Sequence, residues 1–140
     1  MRWIRQNPVT EDSCGQCCVA MLLGIGKRAA IARVGHDEGT TTREMATVLR
    51  SGGFVVAPRL RPFDAFDAIP TRRALLLGFW KQYPHWMAWS GGRLYDPVEG
   101  VFDVRRVRLP RRLRVTHFLG LDAPPTTLSA ATRPRANRSR

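Results

Sequence analysis

Residues 13–23 read SCGQCCVAMLL, and this stretch decides the fold. Its apolar residues lie on every side of a helix rather than along one stripe, which is typical of a buried helix. Gly24 follows directly and is expected to end the helix. Cys14 then stands at the N-terminal end, where backbone N–H groups and the helix dipole favour a thiolate. This position is typical of a cysteine nucleophile, and Gly15 is expected to let a substrate approach the backbone.

The cysteine pattern indicates thiols rather than disulfides. All three cysteines lie between Cys14 and Cys18, and an odd, clustered set is a poor disulfide framework. Cys17 and Cys18 lie inside the apolar run and are predicted to be buried core residues. The first eight residues lack the apolar segment of a signal peptide, and no apolar run approaches the roughly 18–20 residues of a membrane span. A reducing, cytoplasmic location is therefore expected.

Length and charge suggest one domain with a basic tail. The chain has 140 residues and a net charge of +12, and arginine supplies 21 of its 23 basic residues. Residues 1–122 are expected to fold as one domain. Residues 123–140 are rich in Pro, Ser, Thr and Arg without apolar periodicity, and are predicted to be a disordered basic tail.

The remaining pattern predicts helices first and antiparallel strands afterwards. Residues 41–44, Thr-Thr-Arg-Glu, form a capping-box pattern that begins a second helix. One helical turn is expected within residues 62–66. Strands are expected at 54–56, 74–79, 85–90, 93–96, 101–107 and 115–121. This order indicates an α+β fold rather than alternating β-α-β units.

A cysteine nucleophile needs a base, and the chain offers three histidines. His36 lies in a polar loop and is expected to face solvent. His117 lies on the last predicted strand and has no acidic neighbour in the sequence. His85 opens a strand that leads into a tight hairpin, which makes it the best candidate.

The hairpin places a carboxylate near this histidine. If Gly91 and Gly92 are the two turn residues, Asp96 falls on the same face of the sheet as His85, as its diagonal neighbour. A carboxylate there would orient the imidazole and stabilise its charged form. Gln6, ahead of Cys14, is a candidate donor toward a developing oxyanion.

Together these residues resemble the papain-like peptidases that cleave double-glycine leader peptides from bacteriocins, and especially their small stand-alone bacterial relatives. The shared pattern is Gln6, then residues 13–18 with the nucleophile, later residues 85–89, and finally Asp96-Pro97. The resemblance spans about residues 2–105. It implies a papain-like fold with a helical half packed on an antiparallel sheet. It also implies a peptide or protein substrate, no metal and no cofactor, with Cys14 as nucleophile, His85 as acid and base, Asp96 as its orienting group and Gln6 in the oxyanion hole.

Three features depart from that family. Ser13 stands where the family usually has aspartate, and the gap from Gln6 to Cys14 is about two residues longer than usual. A transporter domain beside the peptidase segment is not expected. Export-coupled leader cleavage is therefore not supported.

Three other functions stay open. The same thiol site would serve a deamidase or an acyltransferase. Six arginines within residues 105–114, with four more in the tail, would suit an inactive fold that binds nucleic acid or an acidic partner. A metal site on Cys14, Cys17 or Cys18 has only a weak Cys-x-x-Cys signal, because no second pair follows at zinc-finger spacing.

Overall fold

The structure is a computed structural model that describes residues 1–123, so the predicted tail lies, apart from Ala123, outside the described residues. The described chain is α+β, with the helices first and an antiparallel sheet after them. The helices are α1 (Cys14–Leu23), α2 (Lys27–Val34) and α3 (Thr42–Ser51). The strands are β1 (Val55–Val56), β2 (Arg61–Pro62), β3 (Arg73–Trp80), β4 (Tyr83–Ser90), β5 (Arg93–Asp96), β6 (Gly100–Asp103) and β7 (Leu113–Asp122). A 3₁₀ turn covers Phe66–Ala68.

The first and third helices follow the sequence signals. Helix α1 is buried along nine of its ten residues and ends at Gly24, whose φ of 69° lies in the left-handed region that glycine tolerates. Helix α3 starts with the predicted capping box. The Thr41 side chain accepts from the Glu44 N–H, and the Glu44 carboxylate accepts from the Thr41 N–H.

Two local predictions need correction. Helix α2 was not predicted, because Ala30 is its only buried residue and its sequence carries little apolar periodicity. The helical turn expected within residues 62–66 is wrong for its first residues. Arg61 and Pro62 instead pair with Phe118 and His117 of β7, and the turn forms later at Phe66–Ala68.

The sheet is antiparallel throughout, in the order β1-β7-β3-β4-β5-β6, with β2 also paired to β7. The last strand in the chain therefore lies inside the sheet, between β1 and β3. Helix α1 packs against β4 and also contacts α2 and α3. This packing brings the start of α1 beside the start of β4.

Successive side chains along each strand point to opposite faces of the sheet, and each face has its own hydrophobic core. The helices cover one face, where α1 and α3 pack on residues such as Leu75, Ala88 and Leu119. The opposite face carries Leu76, Met87 and Leu94 and is covered by Phe102 of β6 and by residues outside the strands that include Phe63, Phe66 and Leu109. Within residues 1–123 no helix is long and apolar enough to cross a bilayer.

Candidate active site

Cys14 is the first residue of α1, and its side chain lies beside the start of β4. The backbone N–H of Trp86 points at the Cys14 Sγ atom from 3.5 Å. Cys14 is 7% exposed, so the thiol reaches solvent only through the adjoining cleft. Gly15 serves packing rather than substrate approach, because a methyl group there would overlap the Thr40 side chain.

His85 and Asp96 form a buried pair. The His85 Nε2 atom lies 2.5 Å from the Asp96 Oδ1 atom, and the two residues are 3% and 0% exposed. The hairpin has the predicted register, with Ser90 opposite Arg93 and Ala88 opposite Tyr95. That register puts the imidazole and the carboxylate on one face of adjacent strands, where they meet.

Both oxygens of the Asp96 carboxylate are occupied. While Oδ1 faces His85, Oδ2 accepts from the backbone N–H groups of Val98 at 3.0 Å and Glu99 at 2.7 Å. The Asp96 carbonyl oxygen accepts from the indole N–H of Trp3 at 2.7 Å. A buried carboxylate held by three donors keeps one orientation, which fixes the imidazole in turn.

Opposing effects act on the charge of His85. Burial by itself favours the neutral imidazole, but hydrogen bonds with Asp96 and with the Cys14 thiol outweigh it and raise the pKa of His85 to about 9. The raised pKa favours the charged imidazole of His85, whose Nε2 lies against the Asp96 carboxylate.

Gln6 lies next to this group and is held from both ends. Its backbone N–H donates to the Pro97 carbonyl at 2.8 Å, and its Oε1 accepts from the Ser13 N–H at 2.6 Å. Because the Ser13 N–H can only donate, it must face the oxygen of the Gln6 amide. The Nε2 end of the amide is then the donor that can serve another group. Gln6 is 6% exposed and lines the same cleft as Cys14 and His85.

The other two cysteines lie in the core, as predicted. All three cysteines are free thiols. Burial raises the pKa of Cys17 to about 11 and that of Cys18 well above its usual range. Both side chains are therefore buried thiols, which is typical of structural rather than reactive cysteines.

A cleft of about 490 Å³ opens beside the thiol. One wall is the segment before α1 and the other is the turn between β3 and β4, with Trp80, Lys81 and Tyr83. Trp86 and Trp89 pack in the two cores, where both are 6% exposed. Sequence reasoning missed Trp80, because its position at the cleft depends on the β3–β4 pairing rather than on a local motif.

The two other histidines lie elsewhere. The expectation that His36 faces solvent is wrong, because this half-buried side chain contacts the Glu44 carboxylate at 2.7 Å through Nε2. His117 lies on β7 and contacts the Thr116 hydroxyl. In the described part of the chain, no group of three His, Cys, Asp or Glu side chains is placed to hold a metal ion.

Comparison with known proteins gives a fold likeness without a sequence relative. No protein-family model matches the chain, and no curated protein matches it in sequence. Among solved structures, the peptidase domain of Streptococcus ComA, a bi-functional ABC transporter involved in a quorum-sensing pathway, is similar with a TM-score of 0.58 at 13% identity. The match covers 86% of this chain and 96% of that domain. The α+β arrangement is thus compatible with a papain-like peptidase fold.

Proposed function

We propose that this chain is a cysteine peptidase with Cys14 as nucleophile, His85 as general acid and base, and Asp96 as the group that orients the imidazole. The observation that carries the proposal is the position of His85, which lies against the buried Asp96 carboxylate and lines the same cleft as Cys14. The fold likeness to a peptidase domain supports it. A reactive thiol needs a reducing environment, so a cytoplasmic location is part of the proposal.

Hydrolysis would proceed by acyl transfer. The Cys14 thiolate attacks the carbonyl carbon of the scissile peptide bond and forms a tetrahedral oxyanion. The protonated His85 gives its proton to the leaving amine as the C–N bond breaks, which leaves a thioester on Cys14. The neutral His85 then takes a proton from water, whose oxygen attacks the thioester; the C–S bond breaks and releases the carboxylic acid, which restores the Cys14 thiolate beside a protonated His85.

The oxyanion would be held by the Gln6 amide and by backbone N–H groups at the start of α1. The first N–H groups of a helix have no partner within the helix, and the dipole there favours negative charge. The Ser13 N–H is already used by Gln6 Oε1, so the Cys14 N–H is the one available beside the nucleophile. The Gln6 Nε2 atom would supply the side-chain donor.

Gln6→Glu separates this role from a structural one. Glutamate keeps an oxygen that accepts from the Ser13 N–H, but it replaces the amide donor with a negatively charged oxygen that repels the oxyanion. We expect kcat to fall by roughly 10²–10³-fold with little change in KM, as for the loss of one oxyanion donor. Steady-state kinetics on a cleaved peptide would measure this. An unchanged kcat in the folded variant would remove Gln6 from the oxyanion hole.

Product mass distinguishes peptide hydrolysis from the other thiol chemistries. A mixture of peptides, including sequences with Gly-Gly before the bond to be cleaved, is incubated with the protein and analysed by mass spectrometry. Peptidase activity yields paired fragments whose summed mass exceeds the intact peptide by one water. Deamidation keeps the peptide whole and changes a side-chain amide to an acid, and acyl transfer joins a fragment to an added amine. Exclusive formation of either of those products would contradict the proposal, and Cys14→Ala is the blank.

A further inference from the structure

Glu99 forms a hydrogen-bonded network next to the proposed site. Its Oε2 accepts from the Trp80 indole N–H at 2.7 Å and from the Arg112 Nε at 2.6 Å. Its Oε1 accepts from the Arg112 Nη2 at 2.6 Å. The Glu99 side chain is 11% exposed, whereas that of Arg112 is 52% exposed. One carboxylate therefore joins the end of β3 to the loop before β7.

The same residue also contacts the buried pair through its backbone. The Glu99 N–H donates to the Asp96 Oδ2 at 2.7 Å, so the turn that follows β5 ties Glu99 to the carboxylate facing His85. A displacement of the Glu99 side chain would displace this turn. The displaced turn would shift the Asp96 carboxylate and, through it, the imidazole of His85.

Trp80 is the second route from Glu99 to His85. The half-buried indole lines the cleft, and its ring lies 6.5 Å from the His85 ring, centre to centre, at 41°. An apolar ring at that distance keeps water from the imidazole and strengthens the charge interactions beneath it. The Trp80 N–H bond to Glu99 fixes the edge of the ring, while the Lys81 ammonium lies 4.6 Å from the ring centre.

We propose that Glu99 is a positioning residue of the peptidase, which holds Trp80 over His85 and sets the turn that carries Asp96. This inference rests on the proposed function and adds one positioning residue to the proposed active site. Glu99 itself does not contact the reacting atoms. It acts through Trp80 and Asp96.

A carboxylate suits this position better than an amide. Three donor atoms converge on its two oxygens, and glutamine would turn an NH₂ group toward one of them. Hydrogen bonds from Arg112 and Trp80 lower the pKa of Glu99 in spite of its partial burial, so it stays charged at neutral pH. Its negative charge also interacts with the charge of His85.

The test is a double-mutant cycle on Glu99→Gln and Trp80→Phe. The matched control is Asp103→Asn, which removes another carboxylate paired with arginines, but on β6 at the far end of the β5–β6 ladder. Each variant is checked by thermal unfolding, and kcat, KM and the pH profile of kcat/KM are measured on one cleaved peptide. Trp80→Phe leaves the Glu99–Arg112 ion pair in place, so it tests the network even if Glu99→Gln does not fold.

We expect each of the two variants to lower kcat by roughly tenfold, with KM nearly constant. The double variant should lose no more than the worse single one, because both changes break the same contact. Glu99→Gln should also shift the alkaline limb of the profile to lower pH. The charged groups that act on His85 are Asp96, Cys14 and Glu99, and removing one negative charge makes the imidazolium easier to deprotonate.

Three results would overturn the inference. Unchanged kcat and pH profile in folded Glu99→Gln, while Cys14→Ala is inactive, would refute the role of Glu99 and leave the proposed function intact. A wild-type protein that hydrolyses no peptide would overturn both. Additive losses in the cycle would show that Glu99 and Trp80 act separately, which also contradicts the inference.

Discussion

Asp96→Asn is expected to lower kcat by roughly 10²–10⁴-fold, on the scale known for loss of the carboxylate that orients a catalytic histidine. It should also destabilise the fold by about 1–3 kcal/mol, the cost of leaving a buried donor unsatisfied. The reason is geometric. An asparagine whose NH₂ group faced Val98 and Glu99 would meet two backbone donors. If its NH₂ group faced His85 Nε2 instead, that nitrogen would have to accept, which is the wrong tautomer for catalysis. Steady-state kinetics and denaturant unfolding measure the two effects.

The pH dependence of stability in this variant gives a further check. The pKa of His85 is raised in the folded protein, so its protonation stabilises the fold fully below pH 6.5 and this stabilisation is lost as pH rises through about 9. In Asp96→Asn that dependence should shrink, since the carboxylate that favours the imidazolium is gone. The partly exposed Asp103 on β6 provides the control, because Asp103→Asn should change neither activity nor this pH dependence. Equal behaviour of the two variants would contradict the role given to Asp96.

Cys14→Ala is expected to abolish hydrolysis while the protein stays folded. The thiol is the nucleophile, and alanine offers no atom that can form the thioester. We expect a loss of roughly 10⁵-fold or more, as for removal of a nucleophile in related triads. Turnover of a cleaved peptide, followed by mass spectrometry over long incubation, measures the remainder.

Cys18→Ala is the matched control. Cys18 is fully buried on the same helix, so its loss should cost about 1–2 kcal/mol of stability through the small cavity left behind. Its activity should remain close to wild type. Loss of activity in Cys18→Ala with retention in Cys14→Ala would reverse the assignment of the nucleophile.

Local signals predicted much of the fold. The buried character of residues 13–23, the capping box at Thr41 and the Gly91-Gly92 turn depend only on neighbouring residues, and the structure contains all three. The same turn fixed the register from which the His85–Asp96 contact was predicted. Local sequence patterns were therefore enough to predict that two of the proposed site residues, His85 and Asp96, lie side by side.

The features of the fold that were not predicted from the sequence depend on contacts between residues far apart in the chain. Strand β7 lies between β1 and β3, and β2 exists only because two residues pair with β7. Helix α2 is stabilised by packing on α1 rather than by its own periodicity. The contact between Trp80 and Glu99 joins the end of β3 to the turn after β5, so no local sequence pattern predicts it. Of these features, only the turn after Asp96 is indicated by a local sequence pattern, because an Asp-Pro pair favours turns in which the carboxylate accepts backbone N–H groups.

The most direct measurement is the pH dependence of alkylation of the purified protein by a peptide-like epoxysuccinyl electrophile, with the adduct mapped by mass spectrometry. We expect fast labelling confined to Cys14 at neutral pH, and strong slowing in His85→Ala. Cys17 and Cys18 should stay unlabelled, because burial raises the pKa of both thiols. Labelling of Cys14 no faster than a free thiol, and unchanged in His85→Ala, would contradict an activated thiolate and with it the peptidase.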